Sequence, residues 1–269
     1  MNVLPFLPAT PHPDVARDLA ALQEPLQGLL PARLIRRVHI ERPPAALVEG
    51  YRALPDLCSL VADVLDGLGY DTAVPAGRLA PLASGQRVVG PAVTVRHSRV
   101  RRAAGVGLAR GDVPRLGGLD QIALTRSGDV LVIDAGGEGE ASSFGGLMAN
   151  AVRHGGLAGV VVDGAVRDAA NIRALGLPLW SRTLTPRTGK HRLELVEFNG
   201  VVDIGGVQVW PGDLLLGDDD GLLVVPAAIA ADVLDRARAA AGLEHSVLAA
   251  MAAGASAGES LAILPPEKW

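Results

Sequence analysis

Rings, lysine and cysteine are all scarce in this 269-residue chain, and each shortage removes a class of explanation. Aromatic residues make up 3% and hydrophobic residues 49%, so the interior has to be assembled from valine, leucine, isoleucine and alanine. Lys190 and Lys268 are the only lysines among 25 basic residues. Schiff-base catalysis needs a lysine amine, preferably desolvated. Lys268 stands beside the C-terminus and Lys190 in the polar stretch TPRTGKHR, which argues against a lysine-dependent mechanism. The single cysteine, Cys58, cannot close an internal disulfide and lies on an apolar helical pattern, as a small core residue does. No run of about 18 apolar residues lacks charges or breakers, so no membrane-spanning helix is expected. The opening MNVLPFLPATPHPD has four prolines and no basic start, unlike a secretory signal, and a cytoplasmic location is expected.

Charge and motifs remove further classes. A formal net charge of −4 gives no global electrostatic case for DNA or RNA. The basic cluster RHSRVRR, Arg96 to Arg102, is the local exception, open to reading as a solvated loop, an anion site or a subunit contact. The six histidines are scattered without a His-Glu-x-x-His pattern, and no cysteines pair, which argues against a tight zinc site. The stretch GGEGEASSFGG lacks both the Lys-Ser/Thr of a phosphate loop and the dinucleotide-binding spacing.

Apolar periodicity is plentiful. Residues 1–42 read as an N-terminal extension, with a helix over DVARDLAALQEPLQGLL, and residues 43–269 as one main domain. DLCSLVADVLDGLG predicts an amphipathic helix with Asp56 as a possible cap and Gly69 as a stop. QRVVGPAVTVRH and SGDVLVIDAGG predict strands, the second short and ending at its glycines. FGGLMANAVRHGG predicts a helix from Gly145 to His154, followed by the strand LAGVVVDG, the helix RDAANIRALG and the strand LPLWSR. That β–α–β–α–β alternation implies parallel pairing and an α/β fold. After Arg192, short β runs divided by Asn-Gly, Gly-Gly, Pro-Gly-Asp and Asp-Gly predict tight antiparallel connections, and the chain is helical again from Ala227.

The chemistry converges on VVVDGAVRD, where Arg167 and Asp168 follow a buried strand at a strand-to-helix junction, the usual place for a site in α/β architecture. SSFGGLMA sets successive backbone N–H groups at a second helix start, suited to a carboxylate or phosphate. Side by side, the two junctions would hold an acidic small molecule at the helix start, with Arg167 facing its developing charge. Asp168 would recruit Mg²⁺ or Mn²⁺. An Arg-Asp pair at a helix start also serves as a plain surface ion pair, and local residues alone leave both readings open.

The ordered blocks VADVLDGLG, GQRVVGPAVTVR, GDVLVID, GGLAGVVVDGAVRD, GLPLWSRTLTP and IGGVQVWPGDLLLGDDDGLLVVP, spanning about Pro44 to Ala240, resemble the RraA-like proteins and 4-hydroxy-4-methyl-2-oxoglutarate/4-carboxy-4-hydroxy-2-oxoadipate aldolases. The resemblance implies a swivelling β/β/α fold of the phosphohistidine-domain type in a single domain, with the N-terminal helical extension outside the match. It also implies homotrimers or hexamers with sites at subunit interfaces. The expected activity is that of a class II, Mg²⁺- or Mn²⁺-dependent lyase that cleaves or decarboxylates a 2-oxo acid through a metal-stabilised enolate. By position, Arg167 would stabilise the enolate and Asp168 would ligate the metal. The backbone of Gly145, Gly146, Leu147 and Met148 would hold the carboxylate. The family usually carries an acidic residue where this chain has Gly146, to orient a metal-bound water. Glu138 and Glu140, in the loop just before the helix, are then the candidate substitutes. Asp163 is either a cap of the turn at Gly164 or a support of the site, and GDDDG reads as a hairpin turn. A diverged member with a specialised enolate-type reaction and a non-catalytic regulator that binds a ribonuclease are the alternatives.

Overall fold

The computed structural model describes residues 10–264; Lys268 and the first nine residues lie outside them. Helices α1 (Pro13–Ala20), α2 (Ala45–Arg52) and α3 (Leu57–Gly67) lead into strands β1 (Ala73–Pro75), β2 (Ala80–Pro81) and β3 (Val88–Arg99). Two short helices follow, α4 (Ala104–Arg110) and α5 (Asp120–Ala123). The middle of the chain alternates β4 (Val130–Phe144), α6 (Gly146–His154), β5 (Gly159–Val166), α7 (Ala169–Ala174) and β6 (Leu179–Leu184). The remainder holds β7 (Leu193–Phe198), β8 (Val202–Ile204), β9 (Val207–Val209), β10 (Leu214–Asp218), β11 (Gly221–Val225), α8 (Ala230–Ala252) and α9 (Ala257–Ile263).

One mixed sheet runs in the order β1-β11-β10-β3-β4-β5-β6-β2, with β7 also paired to β3, and β8 and β9 form a separate hairpin. The four strands β3 to β6 are parallel, as the β–α alternation predicts. β3 joins the two halves: Val88–Pro91 pair with β10, Ala92–Arg96 with β4, and Val95–Arg99 with β7 across a bulge at Arg96/His97. All eight residues of β5 are buried, which explains its nearly unbroken apolar run. Helices α6 and α7 cover one face of the parallel strands, where Val152 and Ile172 meet Ile133 and Val162. Helices α3 and α8 pack Leu57, Val61 and Val233 on Leu216 and Leu223 of the β10–β11 hairpin. Trp180 fills the core beside the β8–β9 hairpin and donates its indole N–H to the Asp218 carbonyl at 3.0 Å.

Several expectations change. The α-helix of the extension ends at Ala20, with a single 3-10 turn at Ala32–Leu34; beyond Pro25 its amides turn to a side chain, with Gln27, Leu29 and Leu30 donating to the buried Asp120 carboxylate at 2.7, 2.7 and 2.9 Å. The extension is also part of the core, since Val15, Leu30, Ile35 and Val38 pack against the sheet and Arg42 forks onto fully buried Asp129 at 2.8 and 2.7 Å. The strand at Val130 does not end at its glycines. β4 continues to Phe144 through register shifts, with Gly136 and Gly137 at φ +60° and +74°, so Glu138 and Glu140 lie in an irregular strand rather than a loop. Asp56 stands at the cap position of α3 without a side-chain hydrogen bond. Asp163 does not cap the turn at Gly164; its carboxylate accepts from Arg182 at 2.6 Å and from the Gly205 amide at 2.7 Å, tying β5 to the β8–β9 hairpin. GDDDG is the β10–β11 hairpin, and its aspartates accept from the Cys58 amide, the Gly85 amide and the Ser59 hydroxyl, uses that need no cation. Cys58 is buried, and desolvation followed by the neighbouring Asp218 pushes its thiol well above the ordinary range, as suits an inert core residue.

Candidate active site

The parallel register brings the ends of β4 and β5 together, Phe144 opposite Val166, so that the chain leaves both strands at one edge. The Arg167 amide donates to the Phe144 carbonyl at 3.1 Å and fixes the β5 exit beside the start of α6. Asp168 then adopts φ +62° and ψ +34°, the left-handed region that costs a non-glycine residue on the order of 1 kcal/mol. This turn aims its carboxylate back at α6, where Oδ2 accepts the Gly146 N–H at 2.9 Å and lies 3.6 Å from the Arg167 Nε. Oδ1 takes no hydrogen bond from the described residues, and the side chain is 46% exposed. A backbone strained at a half-exposed acid with one unengaged oxygen is the kind of outlier that marks functional positions.

Two glycines permit the approach. A Cβ on Gly145 would lie 2.9 Å from Arg167 Cγ and 3.0 Å from Asp168 Oδ2. One on Gly146 would lie 3.3 Å from Asp168 Oδ2 and 3.4 Å from Asn171 Nδ2. The first turn of α6 leaves the amides of Leu147 and Met148 without a preceding helical carbonyl, whereas the Gly146 amide is already engaged by Asp168. A cavity of about 210 Å³ adjoins this corner, lined by Gly145, Leu147, Met148 and Arg167. Ile133, Phe144, Gln121 and Ser143 form its inner wall. Burial leaves the Ser143 hydroxyl and the Gln121 Oε1 without a partner among the described residues.

Glu138 and Glu140 are not brought to this cavity. The Arg99 guanidinium forks onto the Glu138 carboxylate, with Nη2 to Oε1 at 2.9 Å, and the amides of Glu140 and Ala141 donate to it as well. Arg99 is the leading cause that holds the Glu138 carboxyl below its usual range. Glu140 pairs with Arg99 at 3.2 Å and Arg187 at 3.7 Å and lines a separate cavity of about 190 Å³. The RHSRVRR cluster is divided accordingly, Arg96 pairing with Asp134 and Glu197 and Arg99 with the two glutamates, while Arg101 and Arg102 stay exposed.

Lys190, whose polar surroundings argue against a Schiff-base role, lines the cavity with Arg167, although it is exposed. The extension also reaches the cavity, through Leu29. Neither carries a local signal, because each arrives from a distant stretch of chain. Among the described residues no group of three His, Cys, Asp or Glu side chains could hold a metal. One carboxylate with an unengaged oxygen still fits Mg²⁺, which takes one or two carboxylates and fills its other positions with water and substrate. No helix among the described residues is long and apolar enough to cross a membrane.

Comparison with known proteins identifies the family of the fold. A family model described as RraA-like, Aldolase/RraA, matches residues 58–224, which include both junctions. A Halalkalibacterium halodurans protein provisionally named 4-hydroxy-4-methyl-2-oxoglutarate aldolase is 35% identical over 188 residues, 70% of this chain and 80% of that one. The Thermus thermophilus protein named 4-hydroxy-4-methyl-2-oxoglutarate aldolase is 39% identical over 104 residues, 37% of this chain and 60% of that one. Among solved structures, Streptomyces coelicolor RraAS2, described as an unusual member of the RNase ES inhibitor RraA family, superposes with a TM-score of 0.63 at 30% identity. The match covers 76% of this chain and 96% of that one. An uncharacterised Pseudomonas syringae protein superposes with a TM-score of 0.70 at 28% identity over 82% of this chain and 98% of that one. With the family model covering well over half of the chain and the parallel α/β core in place, the chain belongs to the RraA-like family.

Proposed function

We propose that this protein is a divalent-metal-dependent carbon–carbon lyase that acts on a 2-oxo acid by retro-aldol cleavage or decarboxylation. The observation that carries the reading is the shared corner of β4 and β5. There Arg167 and the first turn of α6 line one cavity, and the Asp168 carboxylate is turned toward the same helix start. The Leu147 and Met148 amides hold the substrate carboxylate, helped by the helix N-terminus. Arg167 sets its guanidinium against the negative charge that builds on the 2-oxo oxygen as the carbon–carbon bond breaks, a charge-assisted contact strongest in the transition state. Phe144 and Ile133 exclude water from the inner wall, which strengthens that contact. Asp168 would hold Mg²⁺ or Mn²⁺. The cation, when bound, supplies Lewis-acid polarisation of the substrate carbonyl. The relatives named as aldolases support the lyase reading, and the trimer or hexamer expected of the family belongs to the proposal.

A second reading is favoured by one observation. Among the described residues no carboxylate other than Asp168 adjoins the corner, because Gly146 has no side chain and Glu138 is committed to Arg99. Losing an acid–base group typically costs about 10²–10⁴-fold, which suits a specialised reaction or a regulator of the kind the RraAS2 description names. The test is pyruvate release from 4-hydroxy-4-methyl-2-oxoglutarate or oxaloacetate with Mg²⁺ or Mn²⁺. Turnover abolished by Arg167→Ala and by Asp168→Asn supports the lyase. Absence of turnover on both substrates sinks it, and a ribonuclease pull-down then tests the regulator.

A further inference from the structure

The excursion between β3 and β4 carries charge that the corner of Arg167 does not use. Residues 96–115 hold six arginines and a single acid, Asp112, in a chain whose net charge is −4. Backbone hydrogen bonds pin both ends of the excursion beside β7: the Val100 amide donates to the Arg192 carbonyl at 2.7 Å, and the Leu195 amide donates to the Arg115 carbonyl at 2.7 Å. Between those ends the chain and residues 191–193 border a cleft of about 790 Å³, within the roughly 300–1,000 Å³ of small-molecule sites. Pro114 is the one lining residue it shares with the cavity of Arg167. Arg101, Arg102 and Arg110 line the cleft, are exposed, and make no ion pair or hydrogen bond among the described residues. Arg115 is matched by Glu194 at 3.1 Å, which leaves Asp112 as the one acid on the lining. Three guanidiniums against one carboxylate are an excess of two positive charges, and like charges gathered in a cleft raise the local potential and concentrate anions. The opposite side is held in place as well: His191 adopts φ +61° and lies against α4 at Gly107, where a Cβ would come within 2.8 Å of its Nδ1.

The geometry points to a second binding site, for a phosphate monoester of nucleotide size, with the phosphate held by Arg101, Arg102 and Arg110 and the organic group against Val100, Val113 and Leu193. A phosphate monoester carries about −1.5 to −2 at pH 7 and three acceptor oxygens. That charge balances the excess, and each guanidinium finds an oxygen. A single carboxylate supplies half the charge and two oxygens for three forks. A nucleobase presents an apolar face to the valines and leucine, which a sugar phosphate lacks. The site does not depend on the lyase reading, because Arg167 and Asp168 lie outside it.

The test is calorimetric binding of adenosine monophosphate, inorganic phosphate, adenosine and succinate to the full chain near neutral pH. The nucleotide is expected to bind at least about tenfold tighter than inorganic phosphate, through the apolar contact, and at least about tenfold tighter than adenosine or succinate, through the charge-assisted hydrogen bonds. Arg102→Gln and Arg110→Gln should each weaken it by about tenfold, with circular dichroism and thermal midpoint as in the parent, and Arg167→Ala should leave it unchanged. No binding of the nucleotide, succinate bound as tightly, or an affinity that survives the Arg102→Gln/Arg110→Gln double variant overturns the site. Binding lost in Arg167→Ala overturns it too, by moving the phosphate to the start of α6. A single-stranded RNA oligonucleotide that binds more than about tenfold tighter than the mononucleotide replaces the small molecule with an extended polyanion and overturns the proposal in that way.

Discussion

At the scale of single residues, the site depends on two side chains approaching a backbone that offers no Cβ. Arg167 and Asp168 can both face the start of α6 because Gly145 leaves room for them, and its φ of −162° is ordinary extended backbone, so the constraint is contact and not conformation. Gly145→Ala should therefore fold normally while displacing Arg167 and Asp168. A misplacement approaching 1 Å costs on the order of 10²-fold in a positioned reaction. The expected result is a 10- to 100-fold fall in kcat/KM on whichever 2-oxo acid is turned over, with a thermal midpoint within about 2 °C of the parent. An unchanged kcat/KM would show that this corner is not where the chemistry occurs. Arg167 and Asp168 were legible in the sequence because an apolar run ending in a polar pair announces a strand exit. The fate of Glu138 was not, since its partner Arg99 lies 39 residues away and only the β3–β4 pairing brings them together.

Among the elements, the parallel strands and the two C-terminal hairpins follow from local signals: four-residue apolar runs, helical spacing between them, and Gly-Gly or Asp-Gly at the turns. β4 was half legible. Its first five residues read as a strand, but Gly136 and Gly137 read as an end, and only pairing with β5 across three register shifts carries the strand to Phe144. The extension was the least legible element because its order comes from distant carboxylates. Arg42 illustrates the energetics: its fork satisfies Asp129, whose side chain is fully buried and whose Oδ2 also accepts the Arg126 amide. Breaking a buried ion pair from one side leaves an uncompensated charge and costs roughly 3–5 kcal/mol. Arg42→Ala is expected to lower the unfolding free energy by about 3 kcal/mol in urea titration, and Arg42→Ala/Asp129→Leu to recover most of it. A single-variant loss below about 1 kcal/mol would mean the extension is not anchored there.

For the molecule as a whole, acid stability has an identifiable contributor away from the site. His97, just past the bulge in β3, is buried with neither ring nitrogen hydrogen-bonded among the described residues, and desolvation lowers its pKa from 6.5 to about 4. The imidazole is neutral in the folded chain and protonates more readily when unfolded. Below pH 6.5 the unfolded state binds more protons, so stability falls as pH drops from 6.5 toward 4. His97→Leu should flatten that part of the profile, by at most about 3 kcal/mol, without loss at pH 7. Urea midpoints at pH 7 and pH 5 that decline equally in parent and variant would contradict the assignment.

The molecule combines an RraA-like parallel core, a helix start whose Gly146 amide donates to the Asp168 carboxylate, and an extension that lines one cavity through Leu29. The most direct test of the central claim is the initial rate of pyruvate release from 4-hydroxy-4-methyl-2-oxoglutarate and from oxaloacetate, with Mg²⁺ or Mn²⁺ and with chelator, for the parent and for Arg167→Ala. The account predicts metal-dependent release by the parent on at least one substrate and a loss of at least about 10²-fold in the variant. Release that survives the loss of the guanidinium, or no release by the parent on either substrate, would contradict it.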